Sequence, residues 1–127
     1  MPKLMLVADA DWVINEVRGA LALGDWDLDV VADPRSVVEA VHERRPDATI
    51  VDMQVGSMGG MAIIRAIRQS TEHGGRPRLV LLLDRSADDF IARRAGADAY
   101  VSKPITSSAL RAALSTQPAV VGAAEEE

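Results

Sequence analysis

The stretch LVLLLDR, at residues 79–85, places five consecutive aliphatic residues directly before two charged ones, Asp84 and Arg85. An unbroken apolar run of this length is typical of a β-strand buried on both faces, as in a parallel sheet that is covered by helices. Burying a carboxylate without a partner is costly, so a core strand seldom ends on one by chance. The stretch therefore predicts a buried strand and raises the question of what the Asp84 carboxylate faces.

Similar apolar runs occur along the chain, and segments with helical periodicity separate them. Val13, Val17, Ala20 and Leu21, for example, recur at helical spacing, and we expect Gly24 to end that helix. The five predicted strands are Leu4–Ala8, Leu28–Ala32, Ala48–Val51, Leu79–Leu83 and Ala99–Val101. Five strands that alternate with five helices indicate parallel βαβ units with right-handed crossovers, and thus an α/β fold with three layers in the order α/β/α.

Local patterns also predict how two of the later helices begin and which residues they bury. Asp33 is a favourable N-cap, and Pro34 suits the first helical position after it. Thr106 or Ser107 is expected to cap the last helix. The predicted buried positions of the later helices are Val37, Val38 and Val41, then Met61, Ile64 and Ile67, and finally Leu110, Ala113 and Leu114.

Length and composition indicate one compact domain. A chain of 127 residues can bury a sizeable core, and a hydrophobic fraction of 48% is globular rather than disordered. We expect residues 1–116 to form this domain and residues 117–127, QPAVVGAAEEE, to form a disordered tail. The sequence shows no internal repeat and no second domain.

Charge and composition exclude several classes of function. A net charge of −5 argues against direct nucleic-acid binding, which needs a clustered basic surface. The chain has no cysteine, and its two histidines, His42 and His73, are too few for a histidine metal cluster. The N-terminal segment MPKLMLVADAD resembles neither a signal peptide nor a membrane span, so we expect a cytoplasmic protein with no membrane partner.

Four charged residues follow the ends of predicted strands. They are Asp9, Asp52, Asp84 and Lys103, and the last is one of only two lysines in the chain. A single aspartate at such a position is more often a loop or helix cap. In open parallel sheets, however, ligands bind outside the carboxyl ends of the strands. Four such residues at one edge therefore favour a charged site over four separate caps.

Several motifs around these residues resemble the receiver domain of two-component response regulators. They are KLMLVADAD, PDATIVDM, the MGGM loop and GADAYVSKPI, and the resemblance extends from Leu4 to about Leu114. It implies a flavodoxin-like, doubly wound parallel sheet with the strand order 2-1-3-4-5.

The resemblance also implies a role for each residue of the predicted site. Asp52 would be the phosphoacceptor, and Lys103 would contact the phosphoryl group. Asp9 and Asp52, with the backbone carbonyl of Gln54, would hold Mg²⁺, and a cis peptide bond would precede Pro104. The chemistry is consistent, because a carboxylate that attacks phosphorus needs nearby cations, and Mg²⁺ prefers oxygen ligands.

Several positions depart from the receiver pattern, among them Gly56-Ser57 and Gly59-Gly60 in the loop after strand three, where Pro-Gly and Asp-Gly are common, and two further departures lie in the site itself. Receivers usually open the site with two adjacent acids, whereas Ala8 precedes Asp9 here, so we expect weak Mg²⁺ binding. Asp84 occupies a position that is normally Thr or Ser, whose hydroxyl bonds the phosphoryl oxygen in the active state. A carboxylate accepts hydrogen bonds where a hydroxyl would donate one. Asp84 is therefore expected either to alter the switch or to form a salt bridge with Lys103 or Arg85.

These observations favour a receiver that accepts a phosphoryl group on Asp52 from a histidine kinase or phosphotransfer protein. No DNA-binding or enzyme domain is recognised, so we expect output through contacts with a downstream protein. The surface formed by the helix before strand five, strand five and the helix after it is the predicted contact area. Tyr100 on this surface would be a switch residue or simply a half-buried strand residue, and homodimer formation is left open.

Two alternatives compete with this hypothesis. A phosphorylation-independent pseudo-receiver would act as a protein-interaction module whose state is set by Asp84 and Lys103. An enzyme is disfavoured, because a phosphatase that uses an Asp nucleophile would want a second acid two residues after Asp52, where the chain has Gln54. The glycine-rich turn of a dinucleotide site is also absent after the first strand, where the sequence is ADAD.

Overall fold

The sheet is built from five parallel strands. The computed structural model describes residues 2–22, 24–56, 58–71, 75–84 and 93–115. Its strands are β1 (Lys3–Val7), β2 (Asp27–Val31), β3 (Ala48–Asp52), β4 (Arg78–Leu83) and β5 (Ala99–Ser102). They pair in the order β2-β1-β3-β4-β5, and every pair is parallel. The predicted strand order is therefore confirmed.

Helices cover both faces of this sheet. They are α1 (Asp11–Ala20), α2 (Val37–Arg44), α3 (Gly60–Ser70) and α4 (Ser107–Leu114), with a 3₁₀ turn at Pro34–Ser36 before α2. Residues 93–95 are also helical. None of the helices in the described part of the chain has the length and apolar character needed to cross a membrane.

Alternation along the strands explains why the apolar runs are unbroken. Successive side chains of a strand point to opposite faces of the sheet. One face of the sheet packs against α1 and α4, and the other packs against α2 and α3, so both are buried. In β1, for example, Leu4 and Leu6 belong to the first core and Met5 and Val7 to the second. The predicted three-layer architecture is confirmed.

The observed boundaries differ slightly from the predicted ones. All five strands begin or end one residue away from the prediction, and β3, for example, includes Asp52. The prediction that Gly24 ends the first helix was wrong. Helix α1 stops at Ala20, because the N–H groups of Leu21 and Ala22 bond to carbonyls three residues earlier and tighten the last turn. In α3, Ile63 is fully buried and Met61 only partly, because Met61 lies at the rim of the first turn.

The two predicted helix starts have different outcomes in detail. The Asp33 side chain accepts a hydrogen bond from the backbone N–H of Arg35 at 3.0 Å, but it caps the 3₁₀ turn rather than α2 directly. Thr106 caps α4, because its Oγ1 accepts from the backbone N–H of Ala109 at 3.2 Å. The Ser107 hydroxyl donates instead to the backbone carbonyl of Ala20. His73 and the predicted tail at residues 117–127 lie outside the described residues.

Asp98 joins the beginnings of β4 and β5. Its carboxylate accepts two hydrogen bonds from the Arg76 guanidinium, at 2.8 and 3.1 Å, and one from the backbone N–H of Leu79 at 2.7 Å. The Asp98 backbone N–H donates in return to the Leu79 carbonyl at 2.8 Å. Burial of the carboxylate acts to raise its pKa, but the hydrogen bonds and the charge of Arg76 outweigh it, so the pKa lies below the ordinary value of 3.8.

We expect Asp98→Asn to lower the free energy of unfolding at pH 7 by about 1–2 kcal/mol, because hydrogen bonds to a charged group stabilise more than neutral ones. The folded-state pKa is depressed, so this contribution is present above pH 3.8 and is lost as the pH falls through the folded pKa. Urea unfolding of both proteins at pH 7 and near pH 3 should show the difference shrinking in acid. Asp25→Asn, at an exposed site, is the control. A difference that is the same at both pH values would contradict this account.

Candidate functional site

The predicted site residues lie at the carboxyl edge of the sheet. Asp52 is the last residue of β3, Asp84 directly follows β4, and Lys103 directly follows β5. The backbone N–H of Lys103 continues the β4–β5 pairing with a hydrogen bond to the Leu83 carbonyl at 2.9 Å. Parallel pairing thus brings to one edge three side chains that are far apart in the sequence.

The Lys103 ammonium group joins two carboxylates. Its Nζ donates to Asp52 Oδ1 at 2.6 Å and to Asp84 Oδ1 at 2.7 Å. The side chains of Asp52 and Lys103 are only 3% and 10% exposed, whereas that of Asp84 is 35% exposed. Of the four residues predicted to cluster, Asp52, Asp84 and Lys103 are in direct contact, whereas the hydrogen bond of Asp9 is to the backbone of Gly56. The peptide bond between Lys103 and Pro104 is cis, as the resemblance implied.

This arrangement determines the protonation of Lys103. Partial burial of the ammonium group acts to lower its pKa, but the hydrogen bonds and charges of Asp52 and Asp84 outweigh this effect. The net result is a pKa above the ordinary value of 10.5. Lys103 is therefore a fixed positive charge at physiological pH.

Asp84 answers the question raised by the first stretch of sequence. One of its oxygens accepts from Lys103, and the other accepts from Nε2 of the Gln54 side chain at 2.9 Å. The salt bridge to Lys103, one of the two expectations for Asp84, is therefore present in the structure. Arg85, the other expected partner, lies outside the described residues.

Gln54 and Asp9 form contacts that the sequence did not indicate. Gln54 was expected to contribute only its backbone carbonyl, but its side-chain amide bonds to Asp84. The Asp9 carboxylate accepts a hydrogen bond from the backbone N–H of Gly56 at 2.8 Å, and this bond joins the loop after β1 to the loop after β3. Gly56 has a positive φ of 55°, a conformation that favours glycine.

The beginning of α3 packs tightly against the end of β3. The backbone N–H of Gly60 donates to the Met53 carbonyl at 2.8 Å. A Cβ atom at residue 60 would lie 2.4 Å from the carbonyl oxygen of Asp52, so only glycine fits there. Part of the MGGM motif thus has a packing role beside Asp52.

Trp12 is a site residue that the sequence analysis missed. Its indole ring lies over the Lys103 ammonium group, with 5.3 Å from Nζ to the ring centroid, and its side chain is largely exposed. A cation over an aromatic face is attracted by the ring quadrupole. The sequence did contain one indication of this role. Trp12 is an aromatic residue in the first helical turn after ADAD, and that turn begins at the same edge of the sheet as the site.

Tyr100 lies on β5, away from these charges. The residue is half-buried against the core on the α2 and α3 face, and Arg93 Nη2 donates to its hydroxyl at 3.0 Å. The Arg93 guanidinium also lies 5.8 Å from the centre of the Tyr100 ring. The geometry agrees with a half-buried strand residue, and the switch role of Tyr100 stays a prediction.

The residues expected to hold Mg²⁺ supply suitable donor chemistry but few charges. Asp9, Asp52 and the Gln54 carbonyl provide the oxygen ligands that this ion prefers. In the described part of the chain, no group of three or more His, Cys, Asp or Glu side chains is arranged to hold a metal. Ala8, where receivers usually have a second acid, is fully buried. The set present therefore fits Mg²⁺ with one carboxylate fewer than usual.

Comparison with known proteins gives a consistent result. Residues 4–115 match the family model described as response regulator receiver domain. The chain is 33% identical over 107 residues to the probable transcriptional regulatory protein TcrX of Mycobacterium tuberculosis. The aligned region covers 83% of this chain and 45% of that protein. It is 30% identical over 114 residues to the response regulator MprA of Mycolicibacterium vanbaalenii, and this aligned region covers 88% of this chain and 48% of that protein. The chain thus spans about half the length of these curated relatives.

Solved structures share the fold at lower sequence identity. A response regulator receiver domain protein from Clostridium thermocellum has a TM-score of 0.76 and 22% identity, over 90% of this chain and 91% of that one. The receiver domain of the sensor histidine kinase PA1611 from Pseudomonas aeruginosa, described with magnesium in its active-site cleft, has a TM-score of 0.77 and 24% identity, over 89% and 93% of the two chains. The receiver domain of a modulated diguanylate cyclase from Desulfovibrio desulfuricans has a TM-score of 0.74 and 19% identity, over 90% of each chain.

Proposed function

This chain belongs to the response regulator receiver family of two-component signalling, and from that premise we propose that Asp52 is its phosphoacceptor. The observation that supports this most directly is the buried ion pair between Asp52 and Lys103, at 2.6 Å. Only one oxygen of Asp52 is bonded to Lys103, so the other remains for attack on phosphorus. The donor would be a phosphohistidine of a histidine kinase or a phosphotransfer protein, since receiver domains interact with these partners.

The chemistry follows from the charges at the site. When the Asp52 oxygen attacks, a phosphorus–oxygen bond forms and the bond from phosphorus to the donor breaks. Negative charge then accumulates on the phosphoryl oxygens beside Lys103. A positioned ammonium group stabilises that charge in a site where little water competes. Receiver domains bind Mg²⁺ at this place, and the ion supplies further positive charge there. In this chain Asp9, Asp52 and the Gln54 carbonyl would hold it.

Asp84 is proposed to restrain this site. Lys103 is shared between two carboxylates, so a phosphoryl oxygen on Asp52 would compete with Asp84 for the same ammonium group. Asp84 also offers the phosphoryl group no hydroxyl donor. The receiver would therefore accept a phosphoryl group more slowly than one with Thr or Ser there. The comparisons give no support to the alternative of a phosphorylation-independent pseudo-receiver, and we do not retain it.

Incubation with a small phosphodonor that carries labelled phosphate tests the proposed function. The wild-type chain should acquire one phosphoryl group that is labile to alkali and to hydroxylamine, as an acyl phosphate is, and Asp52→Asn should reduce incorporation at least a hundredfold, because an amide is a poor nucleophile. Asp25→Asn is the matched control, because it makes the same change at an exposed aspartate outside the site. Equal labelling of wild type and Asp52→Asn would refute the assignment of Asp52.

We propose that Mg²⁺ binds weakly, because one acid is replaced by Ala8. The variant Ala8→Asp is expected to bind Mg²⁺ about tenfold more tightly, or about 1.4 kcal/mol. Titration followed by tryptophan fluorescence is suitable, since Trp12 lies beside Lys103. Ala22→Asp, at an exposed position, is the control, and thermal melts check that the buried substitution folds. Equal affinities would show that Ala8 is immaterial or that Asp84 has become a ligand.

The proposals on output and on further partners also rest on membership of the receiver family. We propose that the domain has no enzymatic output of its own and signals by contacts with a downstream protein around β5, α4 and the predicted helix before β5, most of which lies outside the described residues. The expectation of no direct nucleic-acid contact applies to this domain alone, because the similar TcrX is named as a transcriptional regulatory protein and is about twice as long. A cytoplasmic location stays a prediction, and homodimer formation stays open.

A further inference from the structure

The segment that carries Lys103 lies along one face of α1. Three contacts join them in order. The Trp12 ring covers the Lys103 ammonium group at 5.3 Å. Glu16 Oε1 accepts a hydrogen bond from the backbone N–H of Ile105 at 2.7 Å, and Ser107 Oγ donates to the Ala20 carbonyl at 2.5 Å. We call these three contacts the α1 strap.

The spacing of the α1 strap has a simple geometric basis. Its helical members are four residues apart and its loop members two residues apart. Residues four apart lie on the same face of an α-helix, so Trp12, Glu16 and Ala20 form one row along α1. The segment from Lys103 to Ser107 bends at the cis peptide bond before Pro104 and contacts this row at every second residue.

Glu16 is the central and strongest member of the strap. A carboxylate accepts a stronger hydrogen bond from a backbone N–H than a neutral group does. Ile105 is buried, and Pro104 before it has no N–H group, so the Ile105 N–H is the first donor after Lys103 that can attach this segment to another element. Without Glu16, this donor would be left buried and unpaired, and the segment would shift to reach water.

We propose that Glu16 is a positioning residue for Lys103, acting through the backbone of Ile105. Its carboxylate fixes how far the segment extends from the end of β5, and thereby places the Lys103 ammonium group between Asp52 and Trp12. The effect of Glu16 on phosphorylation rests on the proposed function, whereas its effect on the position of Lys103 does not.

The chain offers a clean readout of that position. Lysine labelled with ¹³C gives two sets of side-chain NMR signals, because Lys3 and Lys103 are the only lysines, and Lys3 begins β1 at the opposite edge of the sheet. The indole ring current should displace the Lys103 methylene signals, and nuclear Overhauser effects should connect them to the Trp12 ring protons. Lys3 serves as the internal reference. No phosphodonor is needed for this measurement.

Three substitutions of Glu16 test the proposal. Glu16→Gln keeps an oxygen acceptor and should retain the Overhauser effects between Lys103 and Trp12. Glu16→Met removes the acceptor at similar size, and Glu16→Asp shortens the side chain by one methylene while keeping the charge. Both should abolish those Overhauser effects and lower the rate of labelling by a small phosphodonor about tenfold, with Glu16→Gln within about twofold of wild type. Glu39→Met, at an exposed glutamate of α2, is the control and should change neither readout.

The outcomes separate the two proposals. Unchanged Overhauser effects between Lys103 and Trp12 in Glu16→Met would overturn the positioning role, and if that variant does not fold, the same result in Glu16→Asp would overturn it. Their disappearance from both variants, together with their persistence in Glu16→Gln, would support it, even if no protein, wild type included, accepts a phosphoryl group. In that last case the proposed function fails while the positioning of Lys103 by Glu16 stands.

Discussion

Lys103→Met is expected to lower the free energy of unfolding by about 3 kcal/mol and to slow phosphorylation of Asp52 at least a hundredfold. The first effect follows because Asp52 is almost fully buried and would lose the cation bonded to it at 2.6 Å. Removing one partner of a buried pair costs about 3–5 kcal/mol, since an uncompensated charge stays behind. The second effect follows because one positioned donor at a developing charge is worth about a hundredfold or more in rate.

Urea unfolding and labelling by a small phosphodonor measure these two effects on the same protein. Lys3→Met is the matched control, because it removes the other lysine at an exposed position at the far edge of the sheet. The double variant Asp52→Asn with Lys103→Met should recover most of the lost stability, since the only carboxylate that it leaves without its cation is the partly exposed Asp84. A single variant as stable as wild type would show that Asp52 does not depend on Lys103 for its charge.

Asp84→Thr is expected to raise the rate of phosphorylation of Asp52 about tenfold. The two carboxylates bond to the same ammonium group, and two like charges about 5 Å apart repel by about 3 kcal/mol at an effective dielectric of 20. We expect less than the full benefit, because the Asp84 side chain is 35% exposed and solvent screens its charge. Threonine is β-branched and suits a strand end, and it supplies a hydroxyl that can donate to a phosphoryl oxygen.

The same substitution tests whether Asp84 is a structural strut. Lys103 keeps its bond to the buried Asp52 in Asp84→Thr, so the free energy of unfolding should change by no more than about 1 kcal/mol. Asp84→Asn is the matched control, because it removes the negative charge but supplies no hydroxyl group. If charge alone restrains the site, both variants should be faster. If the hydroxyl group is needed, only Asp84→Thr should be phosphorylated faster than wild type.

A large loss of stability with no gain in phosphorylation would mean that Asp84 serves the fold rather than the switch. A stable variant with unchanged phosphorylation would contradict both interpretations. In that case neither the charge of Asp84 nor its bond to Lys103 would limit transfer to Asp52. Movement of Tyr100 on phosphorylation, followed through the NMR signals of its ring, would show whether the restored hydroxyl also couples phosphorylation to the surface around β5.

The sequence by itself determined the architecture and the edge at which the site lies. Unbroken apolar runs such as Leu79–Leu83 require burial on both faces, and such strands alternating with helices require parallel crossovers. Parallel strands bring their carboxyl ends to one edge, so Asp52, Asp84 and Lys103 were expected at that edge. The order of the strands, which makes these residues neighbours, followed only from the resemblance to receiver domains. The conclusions on the architecture and on the edge depend on local periodicity and on the direction of each strand. Both are properties of short stretches of chain.

Only the tertiary structure decided which groups bond to one another. The partners of Lys103 lie 51 and 19 residues away in the sequence, and Glu16 bonds to Ile105 across 89 residues. The hydrogen bonds of Asp84 to Gln54 and of Asp9 to Gly56 were likewise not foreseen. Each depends on differences of an ångström or two in how a loop leaves its strand and how α1 packs beside it. Periodicity fixes the face and the edge on which a side chain lies, but hydrogen bonds require distances that only the packed chain sets.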